Sequence, residues 1–189
     1  MMFIHYETCR CDAVVAVGAL ALSGFASMPS PQGLSSDREG SAVIAAGTNA
    51  HFAHITETKA SPAELWRAWT DVDRWGRWDG GLKLATLKSA FAVGAAGEIV
   101  PLSGLTSRFF ITAVDVGSSF TFETRLPLAR LVLTRRLLPG ATSGHTRFEH
   151  DVSFRGALAS FWALIFGPAF RRELPATMAR LAAYAERLS

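Results

Sequence analysis

Two periodicities divide this chain. Between residues 82 and 154, apolar and polar positions alternate with period two in short stretches separated by Gly, Pro and Ser. After residue 156 a helical spacing takes over. Residues 156–188 carry no charged side chain between Arg155 and Arg171, and that gap holds Leu158, Phe161, Trp162, Leu164, Ile165, Phe166 and Phe170. A helix apolar all round is expected to be enclosed, or to close something. Beyond it, Leu174, Met178, Leu181, Ala185 and Leu188 recur at spacings of three and four. At ~100° per residue, the Leu158–Phe161–Trp162–Ile165 stripe and the Leu174–Met178–Leu181 stripe are roughly 150° out of phase. One straight helix cannot aim both at one core. Gly167-Pro168 and Pro175 predict a bend or interruption between them.

The strands read in order as 50–58, 82–89, 98–102, 108–114, 120–126, 130–138 and 145–154. Short turns join the last six, which predicts an antiparallel sheet. Phe148, His150, Val152 and Phe154 share one face of the last strand, against Arg147, Glu149, Asp151, Ser153 and Arg155. Phe120, Phe122, Thr124 and Leu126 likewise oppose Thr121, Glu123 and Arg125. The aromatic faces point inward, toward the C-terminal helix. Between the first two strands, Ser61-Pro62-Ala63-Glu64 is a helix start. Ser61 caps free amides, Pro62 suits the first helical position, and Glu64 reaches back. A second short turn carries Trp75 and Trp78 before Gly80-Gly81. The fold class is α+β: a curved seven-stranded antiparallel sheet gripping a long C-terminal helix, with two short helices after the first strand.

Composition narrows this further. The chain has 189 residues, near-half apolar content and a formal charge of +3, which together describe one globular domain with chain to spare. The sixteen arginines and three lysines are scattered and form no stripe with interleaved aromatics, which argues against nucleic-acid binding. Cys9 and Cys11 are the only thiols, so neither a disulfide nor a thiolate metal site is expected in the core. Residues 1–48 read as a leader. Its uncharged run at 13–25 resembles the core of a signal peptide, with Gly24-Phe25-Ala26 as a small-residue cleavage site. Glu7 and Asp12 against Arg10 are the wrong charge balance before such a run, and Met28 as the true start is the alternative. The domain proper is 49–189. A cytoplasmic location is expected, with export or membrane attachment through 13–25 as the alternative.

One residue breaks the inner-face pattern. His150 is the strongly polar side chain among apolar neighbours, and an imidazole there orients a ligand or moves a proton. A buried histidine satisfied by a neighbour is the competing reading. His51 and His54, three apart, point to opposite faces of a regular strand and cannot chelate one metal. No P-loop, dinucleotide fingerprint, zinc-protease or nucleophile-elbow motif occurs, and no cofactor or metal is expected.

Several of these residues also carry a resemblance. Ser61-Pro62-Ala63-Glu64-Leu65-Trp66, Thr70-Asp71 with Trp75 and Trp78, Val93-Gly94-Ala95-Ala96-Gly97-Glu98, and His145-Thr146-Arg147-Phe148-Glu149-His150 with Gly156-Ala157-Leu158-Ala159 are the residues concerned. In strand and helix order, the chain from Asn49 to Leu188 resembles the START-like superfamily (SRPBCC, birch-pollen-allergen-like), nearest to its bacterial polyketide cyclase/dehydrase-type members. That resemblance implies a helix-grip fold with an apolar cavity between sheet and helix, for lipids, sterols or polyketides. It supplies no catalytic set. The expected ligand-binding residues are Trp75, Trp78, Phe110, Phe122, Phe148, Trp162, Ile165 and Phe166 as walls, with Thr124 and His150 for orientation. The alternatives are a polyketide cyclase or dehydrase using His150 as general acid or base, and an interaction domain without a ligand. The expected partner is a hydrophobic small molecule, with membrane contact through the apolar half of the C-terminal helix as a further possibility.

Overall fold

The computed structural model describes residues 49–102, 104–139 and 143–188; the leader and its 13–25 run lie outside the described residues. The chain runs β1 (His51–Thr58), α1 (Pro62–Thr70), a short 3-10 helix (Val72–Arg77), β2 (Leu82–Leu87), β3 (Ala96–Pro101), β4 (Ser107–Asp115), β5 (Ser119–Leu126), β6 (Ala129–Leu138), β7 (Thr146–Gly156) and α2 (Ala159–Glu186). The strands form one curved, fully antiparallel sheet in the order β1-β7-β6-β5-β4-β3-β2. β1 and β2 are therefore its edges. β1 pairs directly with β7, and the connection from β1 to β2, which carries α1 and the 3-10 helix, passes from one edge of the sheet to the other.

Local chemistry explains the start of α1. The Ser61 hydroxyl accepts from the Glu64 amide at 3.3 Å, and Glu64 accepts from the Ser61 amide at 2.7 Å. This reciprocal pair satisfies two of the amides that a helix start leaves free. The helix then drives Leu65 and Trp69 wholly into the core, each contributing roughly 1.5–3 kcal/mol from burial. Trp75 and Trp78 follow them in. Trp75 stacks on Phe109 at 5.5 Å and lies 5.4 Å from Phe122, while its indole N–H donates to the Trp69 carbonyl at 2.9 Å. Trp69 meets Phe120 and Phe148 edge-on at 6.1 and 6.2 Å. Gly97 permits the close approach of Phe109: a Cβ at that position would stand 2.3 Å from the Phe109 ring.

α2 is one continuous helix with Pro168 and Pro175 inside it, not an interrupted one. Its buried residues include Ala163, Gly167, Leu174, Met178, Leu181 and Ala185, which share one face. The two predicted stripes are indeed incompatible, and the second wins. The first half fully buries only its small residues, with Trp162 partly packed against the core, and Gly167 packs so closely on Asn49 that a Cβ would meet the Asn49 carbonyl oxygen at 2.4 Å. The expectation of an enclosed first half is corrected. Phe161, Leu164, Ile165, Phe166 and Phe170 are 38–70% exposed. No helix among the described residues is long and apolar enough to cross a membrane.

Candidate functional site

The inner face of the sheet carries a polar row that runs across three strands. In the register, His54 of β1 stands opposite His150 of β7, and His150 stands opposite Arg135 of β6. All three are buried, with relative exposures of 4%, 1% and 3%. The next position in the row is Phe120 of β5. The Arg135 guanidinium lies in an aromatic box, 4.4 Å from the Trp75 ring centroid and 4.8 Å from that of Trp78, with Phe120 and Phe122 at 5.4 and 5.5 Å. Such contacts offset part of the cost of burying a cation. They do not satisfy its donors. Arg135 Nε and Nη1, His150 Nε2 and His54 Nδ1 have no hydrogen-bond partner among the described residues.

The electrostatics follow from this burial. Loss of hydration holds His150 well below the usual histidine range, and the Arg135 charge and His54 push it further down. Burial alone lowers His54. Burial also pulls the Arg135 guanidinium down to about 9, against an opposing pull from Asp79, so it remains a cation at neutral pH. Asp79 directly follows Trp78 in the chain. Burial raises its carboxyl, while the Gly81 amide, Arg135 and Arg180 draw it back. Arg180 comes from α2 and donates to the Trp78 carbonyl at 3.1 Å and the Thr177 hydroxyl at 3.0 Å. At neutral pH the row thus presents two neutral imidazoles beside a buried positive charge.

A cavity opens at the β1 end of this row. It holds about 380 Å³ between β1 and the middle of α2, with Phe52, Pro168, Leu174 and Pro175 as its apolar walls. His54 also lines it, and Arg171 and Arg172 stand at its rim. Both prolines that interrupt the hydrogen bonding of α2 lie in this wall.

The predicted site residues are distributed differently. Trp75, Trp78, Phe122, Thr124, Phe148 and His150 are all buried on the inner side of the domain, packed among one another. Phe110 is not among them: Phe109 faces inward, and Phe110 occupies the outer face beneath the Arg125 guanidinium at 4.8 Å. Ile165 and Phe166 lie on the exposed side of α2, 49% and 38% accessible. Trp162 is half-buried, stacks on Phe166 at 5.6 Å, and donates its indole N–H to the Pro127 carbonyl at 2.9 Å. None of the ten lines the cavity beside β1. Sequence reasoning missed Arg135 altogether and did not connect His54 with His150. The available signal was the alternation of Leu131, Leu133, Arg135 and Leu137 on β6, against Arg130, Val132, Thr134, Arg136 and Leu138 on the opposite face. Among the described residues, no cluster of three or more His, Cys, Asp or Glu side chains is arranged to hold a metal.

A strongly curved antiparallel sheet closed by a long C-terminal helix, with α1 and a 3-10 turn after the first strand, defines the helix-grip class. A family model described as polyketide cyclase / dehydrase and lipid transport matches residues 50–186, and the chain belongs to that family. No curated protein matches the sequence. Solved structures do match in fold. One is a solution structure of a protein from Arthrobacter aurescens, 18% identical, covering 78% of this chain and 93% of its own, with a TM-score of 0.58. A point mutant of norcoclaurine synthase from Thalictrum flavum, in complex with a transition-state analogue, is 12% identical over 80% of this chain and 100% of its own, with a TM-score of 0.57. Ara h 8.0201 is 12% identical over 72% and 97%, with a TM-score of 0.56. At these identities the likenesses concern the fold. Family membership makes this a ligand-binding domain in the general sense.

Proposed function

We propose that the domain binds a hydrophobic small molecule, of the lipid, sterol or polyketide class, in the cavity between β1 and α2. The observation that carries this is an apolar cavity of about 380 Å³ with buried His54 in its wall, whose Nδ1 has no hydrogen-bond partner among the described residues. Ligand pockets typically combine apolar walls with a few convergent polar groups. Native mass spectrometry of the protein purified from its own host, followed by extraction, tests this. A stoichiometric apolar molecule supports it. An empty protein that also takes up no fatty acid, sterol or polyketide from a panel overturns it and favours an interaction domain. Cyclase or dehydrase chemistry would require a substrate within hydrogen-bond reach of His150, and a His150→Ala variant with undiminished turnover would remove that role.

A second reading rests on a separate observation. The first half of α2 exposes Phe161, Leu164, Ile165, Phe166 and Phe170, with Arg171 and Arg172 next in the chain and no acidic residue between Asp151 and Glu173. An apolar face bordered by cations suits contact with an anionic lipid surface. On this reading the helix rests on lipid while the ligand enters or leaves. Co-sedimentation with anionic against zwitterionic vesicles tests it. Phe161→Glu with Leu164→Glu is expected to abolish binding while leaving the melting temperature unchanged. Equal sedimentation of that variant and the parent would exclude α2 as the contact.

A further inference from the structure

The polar row behind the cavity assigns a chemical class to the ligand. We infer that His54, His150 and Arg135 form a head-group position for an acidic ligand, a carboxylate or an enolate-type oxygen anion, whose apolar body lies in the cavity between β1 and α2. This rests on the ligand-binding reading above and specifies what that ligand carries at one end.

Three observations converge on it. First, the arrangement is continuous. His54 lines the cavity, His150 is its cross-strand neighbour, and Arg135 is the cross-strand neighbour of His150. Paired side chains in such a ladder start about 5 Å apart, so the row leads from the cavity wall to the guanidinium in two steps. Second, the donors are unspent. Four nitrogens of the row lack a hydrogen-bond partner among the described residues, and three of them belong to a cation and to a buried imidazole beside it. Buried polar groups are almost always paired, and a buried charge left unpaired is costly. Third, the charge balance is positive. Among the described residues, Asp79 is the one carboxylate felt by Arg135, and Arg180 also draws on it. The cavity rim adds Arg171 and Arg172, and no acidic residue lines it.

An anionic oxygen meets each of these conditions. It accepts from the ring N–H of His54 in the cavity wall, and it lies in the field of Arg135, which reaches it through His150 in the row behind. Charge-assisted bonds of this kind, made out of water, favour an acid over an uncharged analogue of equal apolar surface. An alcohol or ester head leaves the Arg135 charge with only the distant pull of Asp79, which Arg180 shares.

The test uses chain-matched probes: dodecanoic acid, dodecanol and methyl dodecanoate, titrated by calorimetry into the full chain at neutral pH. The acid is expected to bind at least ~10-fold more tightly than the alcohol and the ester. In Arg135→Met and in His54→Gln that preference is expected to fall to about twofold. Thermal melts establish that each variant is folded, and His54→Gln carries the test should Arg135→Met not fold. Equal binding of all three probes by the parent overturns the head-group assignment and leaves the hydrophobic cavity standing. So does an acid preference that survives both variants and disappears in Arg171→Gln with Arg172→Gln, since the rim would then hold the charge. Failure of all three probes to bind overturns the cavity reading beneath it.

Discussion

If Arg135 serves a ligand, removing it should stabilise the empty protein. Burial depresses its guanidinium from the usual arginine range to about 9, and at ~1.4 kcal/mol per pH unit that shift corresponds to a net charge-burial cost of roughly 5 kcal/mol. Met has similar length and no charge. The value of about 9 already contains the attraction of Asp79, so substitution forfeits in addition only the cation–π contacts with Trp75, Trp78, Phe120 and Phe122, together about 2 kcal/mol. Arg135→Met is therefore expected to stabilise the domain by about 3 kcal/mol, as replacing buried ionic groups by apolar ones often does. For a domain of this size that raises the melting temperature by roughly 6–12 °C. Circular dichroism melts and urea midpoints at neutral pH measure it, with Arg136→Met as the control. Arg136 occupies the opposite face, 3.0 Å from Glu149, and should change stability by under ~1 kcal/mol. A fall of several degrees for Arg135→Met would refute the reasoning, because the guanidinium would then hold the aromatic box together.

Three further outcomes follow from the packing. The folded-state values of His54 and His150 are lowered, so below about pH 6.5 the unfolded chain takes up protons that the native chain refuses. Stability is full above that pH and falls as pH drops, by up to ~1.4 kcal/mol per pH unit for each histidine; urea midpoints from pH 7.5 to 5.5 should show it, and a flat profile would contradict it. Gly97→Ala forces a Cβ to within 2.3 Å of the Phe109 ring and 2.4 Å of the Thr86 carbonyl oxygen, and should cost about 2 kcal/mol or more in the same assay. Ser61→Ala removes the acceptor for the Glu64 amide and should cost about 1 kcal/mol, with no change in the aromatic near-ultraviolet spectrum of the core.

Local patterns in the sequence determined the elements. The capping box at Ser61 and Glu64 is a contact between residues three apart, and both of its hydrogen bonds form. The alternation on β5 and β7 identified Phe120, Phe122, Phe148 and His150 as inward-facing, because side chains on a strand can only alternate. Short turns between the last six strands left antiparallel pairing as the simple solution, and the helix-grip order followed. Tertiary structure decided whatever local pattern leaves symmetric. Phe109 and Phe110 present one ring to each face, and only the sheet register chose Phe109 for the core. Arg135 and Arg136 likewise offer one guanidinium to each face of their strand. The two stripes of α2 competed for one interior, and the sheet accepted Leu174, Met178 and Leu181 while leaving Phe161 and Ile165 outside. The meeting of His54, His150 and Arg135 depends on pairing between strands far apart in the chain, and their shared lack of partners becomes visible only once those strands lie side by side.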